Sequence, residues 1–213
     1  MAHHLDVRPG DVLFLGGPGS IQPLCDSVYH SFRHVAVVAH GDHGLVAVEG
    51  RKTGVETPLL GDVLPGYESV AVAQPARCHG CKTELASTAL LSVQREARYS
   101  WALLFATGFR TLLEERCPRH LSVVARLGVR ALKLLTRHLH ANGGMICSTL
   151  VADLLRASSC PQCPETAGQR SVDVLAPTEL WRSDEFESRL VLRGLSLHAN
   201  DARLATPRTP VPA

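Results

Sequence analysis

The stretch Arg33-His34-Val35-Ala36-Val37-Val38-Ala39-His40-Gly41-Asp42-His43-Gly44-Leu45-Val46-Ala47-Val48-Glu49 decides how this chain is read. Two valine-rich runs flank a Gly-Asp-His-Gly connection. That pattern predicts a tight β-hairpin with strands over His34–His40 and Leu45–Glu49. The loop is either Asp42-His43 or the four residues Gly41 to Gly44. In both cases Ala36 opposes Glu49 and Val38 opposes Ala47. Side chains alternate faces along a strand, so His34 shares a face with Ala36. His34 and Glu49 are then diagonal neighbours on one sheet face, about 7–8 Å apart between backbone positions and within reach of long side chains. A loop of three or five residues would put them on opposite faces.

A histidine and a carboxylate on one face have two readings. In one, Glu49 accepts a hydrogen bond from a ring nitrogen of His34 and fixes its tautomer, leaving the other nitrogen to serve as a base. In the other, Glu49 is an exposed strand end paired with Arg51, and His34 is a half-buried sheet residue. The residues alone leave both open.

A base needs a nucleophile. Far downstream stands Gly143-Gly144-Met145-Ile146-Cys147-Ser148-Thr149-Leu150-Val151-Ala152-Asp153-Leu154-Leu155. A Gly-Gly break leads into a cysteine, and Leu150, Val151, Leu154 and Leu155 follow at helical spacing. Cys147 would open a helix to about Ala157, at the positive end of the helix dipole, which favours negative charge there. The plainer reading is a small buried core residue, since free cysteine is among the most buried types.

Outward from these two stretches, Arg8-Pro9-Gly10-Asp11 is a turn and Val12–Leu15 a strand. Ser20 would cap a short helix through about Tyr29. Glu68–Ala73 is a further strand, ending before Pro75. From about Thr83 to His140 the chain is rich in Leu, Ala, Arg and Glu at helical spacing, and Pro118 divides it into at least two helices. Arg189–Leu192 is a last strand. The fold class is therefore α+β, a small antiparallel sheet packed against helices. Residues 1–198 form a single domain, and 199–213 read as a disordered tail.

The composition agrees. The chain has 213 residues, 45% hydrophobic and 20% charged, enough for one sizeable core. Its formal net charge of +2 is uninformative. The first residues lack a basic region followed by an apolar one, and no apolar run approaches a membrane span. A cytoplasmic location is expected. There, seven cysteines serve metal or catalysis more often than disulfides.

Four segments in order carry a resemblance. They are Arg8-Pro9-Gly10-Asp11-Val12-Leu13-Phe14, Arg33-His34-Val35-Ala36-Val37-Val38, Val46-Ala47-Val48-Glu49 and Ile146-Cys147-Ser148-Thr149-Leu150-Val151. Together they resemble the permuted NlpC/P60-type, papain-like amidases of the YaeF/YiiX group. More distantly, they resemble lecithin retinol acyltransferase-like proteins. Ordinary papain-like enzymes run Cys then His; this chain runs His34, Glu49, Cys147, as the permuted group does. Ala176-Pro177-Thr178-Glu179-Leu180-Trp181-Arg182-Ser183 is also similar to a segment of that group. The resemblance implies a circularly permuted papain-like fold, with Cys147 as nucleophile, His34 as base and Glu49 as orienting residue. The backbone N–H of Cys147 would help hold the oxyanion. Tyr99 is a candidate for lining the site. Many relatives carry an acid where Thr149 stands, and the stretch Leu103–His140 is longer and more basic than the resemblance implies.

Two constellations stand apart. Cys78-His79-Gly80-Cys81 and Cys160-Pro161-Gln162-Cys163 form two C-x-x-C knuckles. Four thiolates at this spacing suit a structural tetrahedral zinc, although the knuckles are far apart in sequence; surface thiols or a redox pair are the alternatives. No cofactor is expected for catalysis. Arg126, Arg130, Lys133 and Arg137 fall at intervals of four, three and four, one basic stripe on a helix. It reads as a solvated face, or as a peripheral contact with anionic membrane. Aromatic residues make up 5% of the chain, which gives no support to a base-stacking nucleic-acid surface.

Three readings follow. The first is a cysteine acyl hydrolase (an amidase or peptidase) working through a thioester on Cys147, with a small-molecule or peptide amide or ester as substrate. The second uses the same residues to pass an acyl group to a lipid or amine acceptor. The third is a zinc-clipped binding domain with no activity.

Overall fold

The structure is a computed structural model that describes residues 7–17, 32–75, 79–93, 98–116, 123–158, 176–182 and 186–193. Its centre is an antiparallel sheet. The strands are β1 (Val12–Gly16), β2 (Phe32–Gly41), β3 (Gly44–Arg51), β4 (Gly54–Glu56), β5 (Ser69–Pro75) and β8 (Phe186–Arg193), in the spatial order β4-β3-β2-β1-β5-β8. The expected hairpin is present: Gly41 pairs with Gly44, Val38 with Ala47 and Ala36 with Glu49. The loop is Asp42-His43, the shorter of the two connections.

The turn Arg8-Pro9-Gly10-Asp11 launches β1. The Arg8 N–H donates to the Asp11 carboxylate at 2.8 Å, and Gly10 takes a φ of +87°. A Cβ on Gly10 would lie 2.3 Å from the carbonyl oxygen of Lys82, so only glycine fits between this turn and the helix it abuts.

That helix is α2 (His79–Ser92). The others are α1 (Leu60–Val63), α3 (Trp101–Arg116), α4 (Val123–Ala141), α5 (Cys147–Ala157) and α6 (Pro177–Arg182). A small parallel pairing joins β6 (Arg98–Tyr99) to β7 (Gly144–Met145). Among the described residues the middle of the chain thus holds three helices, where the periodicity divided it into at least two. β5 runs on through Pro75, where its pairing with β8 shifts register.

Strand alternation gives the sheet two buried faces. One carries Val12, Phe14, Val35, Val37, Val46 and Val48 and is covered by α2, α5 and α6. The other carries Leu13, Leu15, Ala36, Val38 and Ala47 and is covered by Leu60, Val63 and Leu64. Phe14 centres an aromatic cluster with Phe32, Trp181 and Phe186, at centroid distances of 5.3, 5.1 and 5.5 Å. Burying one such ring contributes about 1.5–3 kcal/mol. No helix among the described residues is long and apolar enough to cross a membrane.

The proposed helix from Ser20 to Tyr29 and the tail 199–213 lie outside the described residues, as do Cys25 and Cys117. So does the four-cysteine site. Of its members only the backbone of Cys81 is described, near the start of α2, while Cys78, Cys160 and Cys163 are not.

Candidate functional site

β2 and β3 carry His34 and Glu49 at the end of the hairpin away from its turn. Nε2 of His34 and Oε2 of Glu49 lie 2.5 Å apart. The second carboxylate oxygen, Oε1, accepts from Nε of Arg51, also at 2.5 Å. Glu49 pairs with Arg51, but it is not the exposed strand end of the second reading: it is buried and also holds His34. Glu49 is fully buried, while Arg51 is half-exposed and also lies 3.6 Å from Glu56 on β4. Burial alone would push the Glu49 carboxyl up. Its hydrogen bond with His34, the charge of that ring and then Arg51 outweigh burial and leave it below the ordinary carboxylate range.

Cys147 is the first residue of α5 and is buried. The helix start is fixed by Thr149, whose hydroxyl accepts from the Ile146 N–H at 2.9 Å and donates back to the Ile146 carbonyl. Thr149 thus acts as a cap that shapes the turn entering Cys147. With Leu150 donating to the Ile146 carbonyl, the N–H groups at the start of α5 have no intrahelical acceptor and point at the region before the helix.

His34 and Glu49 share the face lined by Ala36, Val38 and Ala47, whereas α5 covers the opposite face. They meet because β3 has no side chain at Gly50. A Cβ there would lie 3.4 Å from both N and Cα of Cys147, so the helix start rests directly on the strand. His34 makes a side-chain hydrogen bond to Cys147, and with Nε2 on Glu49 the ring nitrogen left for the sulfur is Nδ1. Burial alone would lower the His34 pKa. The hydrogen bonds to Cys147 and Glu49 and the charges of both outweigh it and push the imidazole up to about 9.

Two tyrosines flank this cluster. The ring of Tyr67 lies parallel to that of His34, with centroids 6.4 Å apart and 4° between planes. Burial and then the charges of Glu49 and Cys147 raise its phenol pKa. Tyr99 pairs with Met145, two residues before Cys147. Burial and the charge of Cys147 push its phenol up to about 12. Tyr99, the candidate for lining the site, lies close enough to Cys147 to feel its charge. Tyr67 and Gly50 carry no signal in one sequence, since a tyrosine after a turn and a glycine in a strand have many uses.

The segment entering Cys147 is held from α4. His140 places Nδ1 3.1 Å from the Gly144 carbonyl and Nε2 3.3 Å from Asp153 on α5. The hydrogen bond to Asp153 is the largest influence on this ring and raises its pKa. The stripe on α4 is less uniform than its spacing implies: Arg126, Arg130 and Arg137 are exposed, but Lys133 turns to Glu114 of α3 at 3.1 Å. Among the described residues no group of three or more His, Cys, Asp or Glu is placed to hold a metal ion.

No family model matches the chain. No curated protein matches it in sequence. Among solved structures, the architecture is similar to that of the metalloprotein YiiX from Escherichia coli O157:H7, with a TM-score of 0.52 at 12% identity. The match covers 87% of this chain and 97% of that one. At this identity the likeness speaks for the fold: the chain has the mixed, antiparallel α+β architecture of YiiX.

Proposed function

We propose that the chain is a cysteine-dependent acyl hydrolase built on a circularly permuted papain-like scaffold of the NlpC/P60 type. The observation that carries this reading is the line of hydrogen bonds from Glu49 through His34 to Cys147 at the start of a helix. A carboxylate, an imidazole and a thiol in series make a nucleophile, its base and the group that orients the base. The order His34, Glu49, Cys147 along the chain and the YiiX-like architecture support the permuted scaffold.

The steps follow from the positions. His34 takes the thiol proton of Cys147 on Nδ1 while Glu49 holds Nε2 and stabilises the resulting imidazolium. The thiolate attacks an amide or ester carbonyl, and the backbone N–H groups that open α5 face the developing oxyanion. The imidazolium returns its proton to the leaving amine or alcohol, which departs and leaves a thioester on Cys147. His34 then draws a proton from water, which attacks the thioester and releases the acid. Tyr67 and Tyr99, both near the sulfur, form walls of this site.

The test is the reactivity of Cys147. The folded protein is treated with a small alkylating agent at mildly acidic pH, and the labelled positions are mapped by mass spectrometry. Cys147 is expected to label before the other six cysteines, and His34→Ala is expected to remove that lead. Labelling of Cys147 no faster than the rest sinks the hydrolase reading.

A further inference from the structure

Helix α3 is turned the wrong way for its sequence. Trp101, Phe105 and Phe109 recur every four residues, the spacing of an apolar stripe that normally faces a core. Instead they are 47%, 70% and 55% exposed, while Arg110 on the same helix is 2% exposed. Arg110 is held inward by ion pairs with Glu179 of α6 and Glu114. The inside of α3 is Leu103, Ala106, Thr107 and Arg110, and its outside is a ladder of three large aromatic rings.

The ladder begins at the Cys147 site. Trp101 meets the ring of Tyr99 edge-on at 5.4 Å and stacks on Phe105 at 6.2 Å. The ammonium of Lys52, next to the Arg51 that grips Glu49, lies 5.2 Å over the Trp101 ring. A ladder from residue 101 to 109 on a helix is about 12 Å long. The adjacent helix α4 exposes Leu127, Leu134 and Leu135 among the exposed Arg126, Arg130 and Arg137. Exposed tryptophan and phenylalanine with lysine and arginine beside them are the chemistry of a surface that sits in the headgroup region of an anionic bilayer.

We propose that the Trp101–Phe105–Phe109 face of α3, with Lys52, is an interfacial docking surface for anionic lipid membrane. The docking does not rest on the hydrolase reading above.

The test is flotation of the full chain with vesicles of phosphatidylcholine alone and of phosphatidylcholine with phosphatidylserine. The protein is expected to float with the phosphatidylserine vesicles, less with phosphatidylcholine alone, and less again at high salt. Phe105→Asp with Phe109→Asp, both on exposed positions, is expected to lower the bound fraction about tenfold while melting at the same temperature. Cys147→Ser is expected to float like the native chain, so that failure of the hydrolase reading leaves this result standing. Docking is overturned if the native chain floats with neither vesicle, or if the double variant floats equally well. It is also overturned if the native chain is a dimer that the double variant splits and neither floats, because a second copy then covers the ladder.

Discussion

Glu49 has both of its carboxylate oxygens engaged, one by His34 and one by Arg51, in a position with no solvent contact. A buried carboxylate that is paired on both sides stays ionised, and an ionised Glu49 joins Cys147, the larger of the two influences, in keeping a proton on His34. The sign for His34 follows from the direction of its shift. Its pKa is raised from the ordinary 6.5 to about 9, so its contribution to stability is complete below about 6.5 and is lost as pH rises through about 9. Followed by NMR, the imidazole of His34 is expected to titrate near 9 in the native chain. In Cys147→Ser the midpoint should move down, because a hydroxyl carries no charge to hold the imidazolium. An unmoved midpoint in that variant would mean that the sulfur exerts no pull on the ring.

At the scale of elements, the decisive contact is β3 against the start of α5. Gly50→Ala places a methyl group at an ordinary 3.4 Å from Cys147, so its effect on melting temperature and on Cys147 labelling should be small. Gly50→Val adds branches with nowhere to go but the helix start. We expect Cys147 labelling to fall by about a hundredfold, as for a misplacement of about 1 Å in a site of this kind. Equal behaviour of the two variants would show that this contact does not position the sulfur.

These elements also show what one sequence makes legible. The hairpin register was readable because Val and Ala alternate around a turn whose two candidate lengths give the same pairs. The start of α5 was readable because Gly143-Gly144 breaks the chain just before a helical pattern. The pieces β4, α1, β6 and β7 are two to four residues long, too short for periodicity to show. The sidedness of α3 was not readable, because the apolar spacing of Trp101, Phe105 and Phe109 points to a core. The inversion comes from Glu179, sixty-nine residues away, drawing Arg110 inward. In the same way, the basic spacing on α4 gave no sign that Lys133 would leave the stripe for Glu114.

Across the whole molecule, α3 and α6 are tied by that pair, a buried guanidinium against a partly buried carboxylate. The Glu179 carboxylate takes both the Arg110 guanidinium and the Ala176 N–H, the latter at 2.6 Å. Burial is the largest influence on Glu179 and raises its pKa even beside Arg110. Glu179→Ala leaves a buried guanidinium without its nearest carboxylate, and such a loss costs about 3–5 kcal/mol. Thermal denaturation should register it as a clear fall in Tm. Adding Arg110→Met should recover much of the loss, since an apolar chain of similar length needs no partner there. A double variant no more stable than Glu179→Ala would place the cost in the α6 cap rather than in the orphaned charge.

The order of the strands and of Cys147 along the chain also bears on how the molecule is made. The hairpin bearing His34 and Glu49 leaves the ribosome before Cys147, and its strands can pair with β1 and β4 while α5 is still being synthesised. A nascent or truncated chain ending before Gly143 would thus hold the histidine and the acid and lack the thiol. Cys147 emerges onto a sheet most of which already exists, so the thiol joins the histidine and the acid only in the last third of translation.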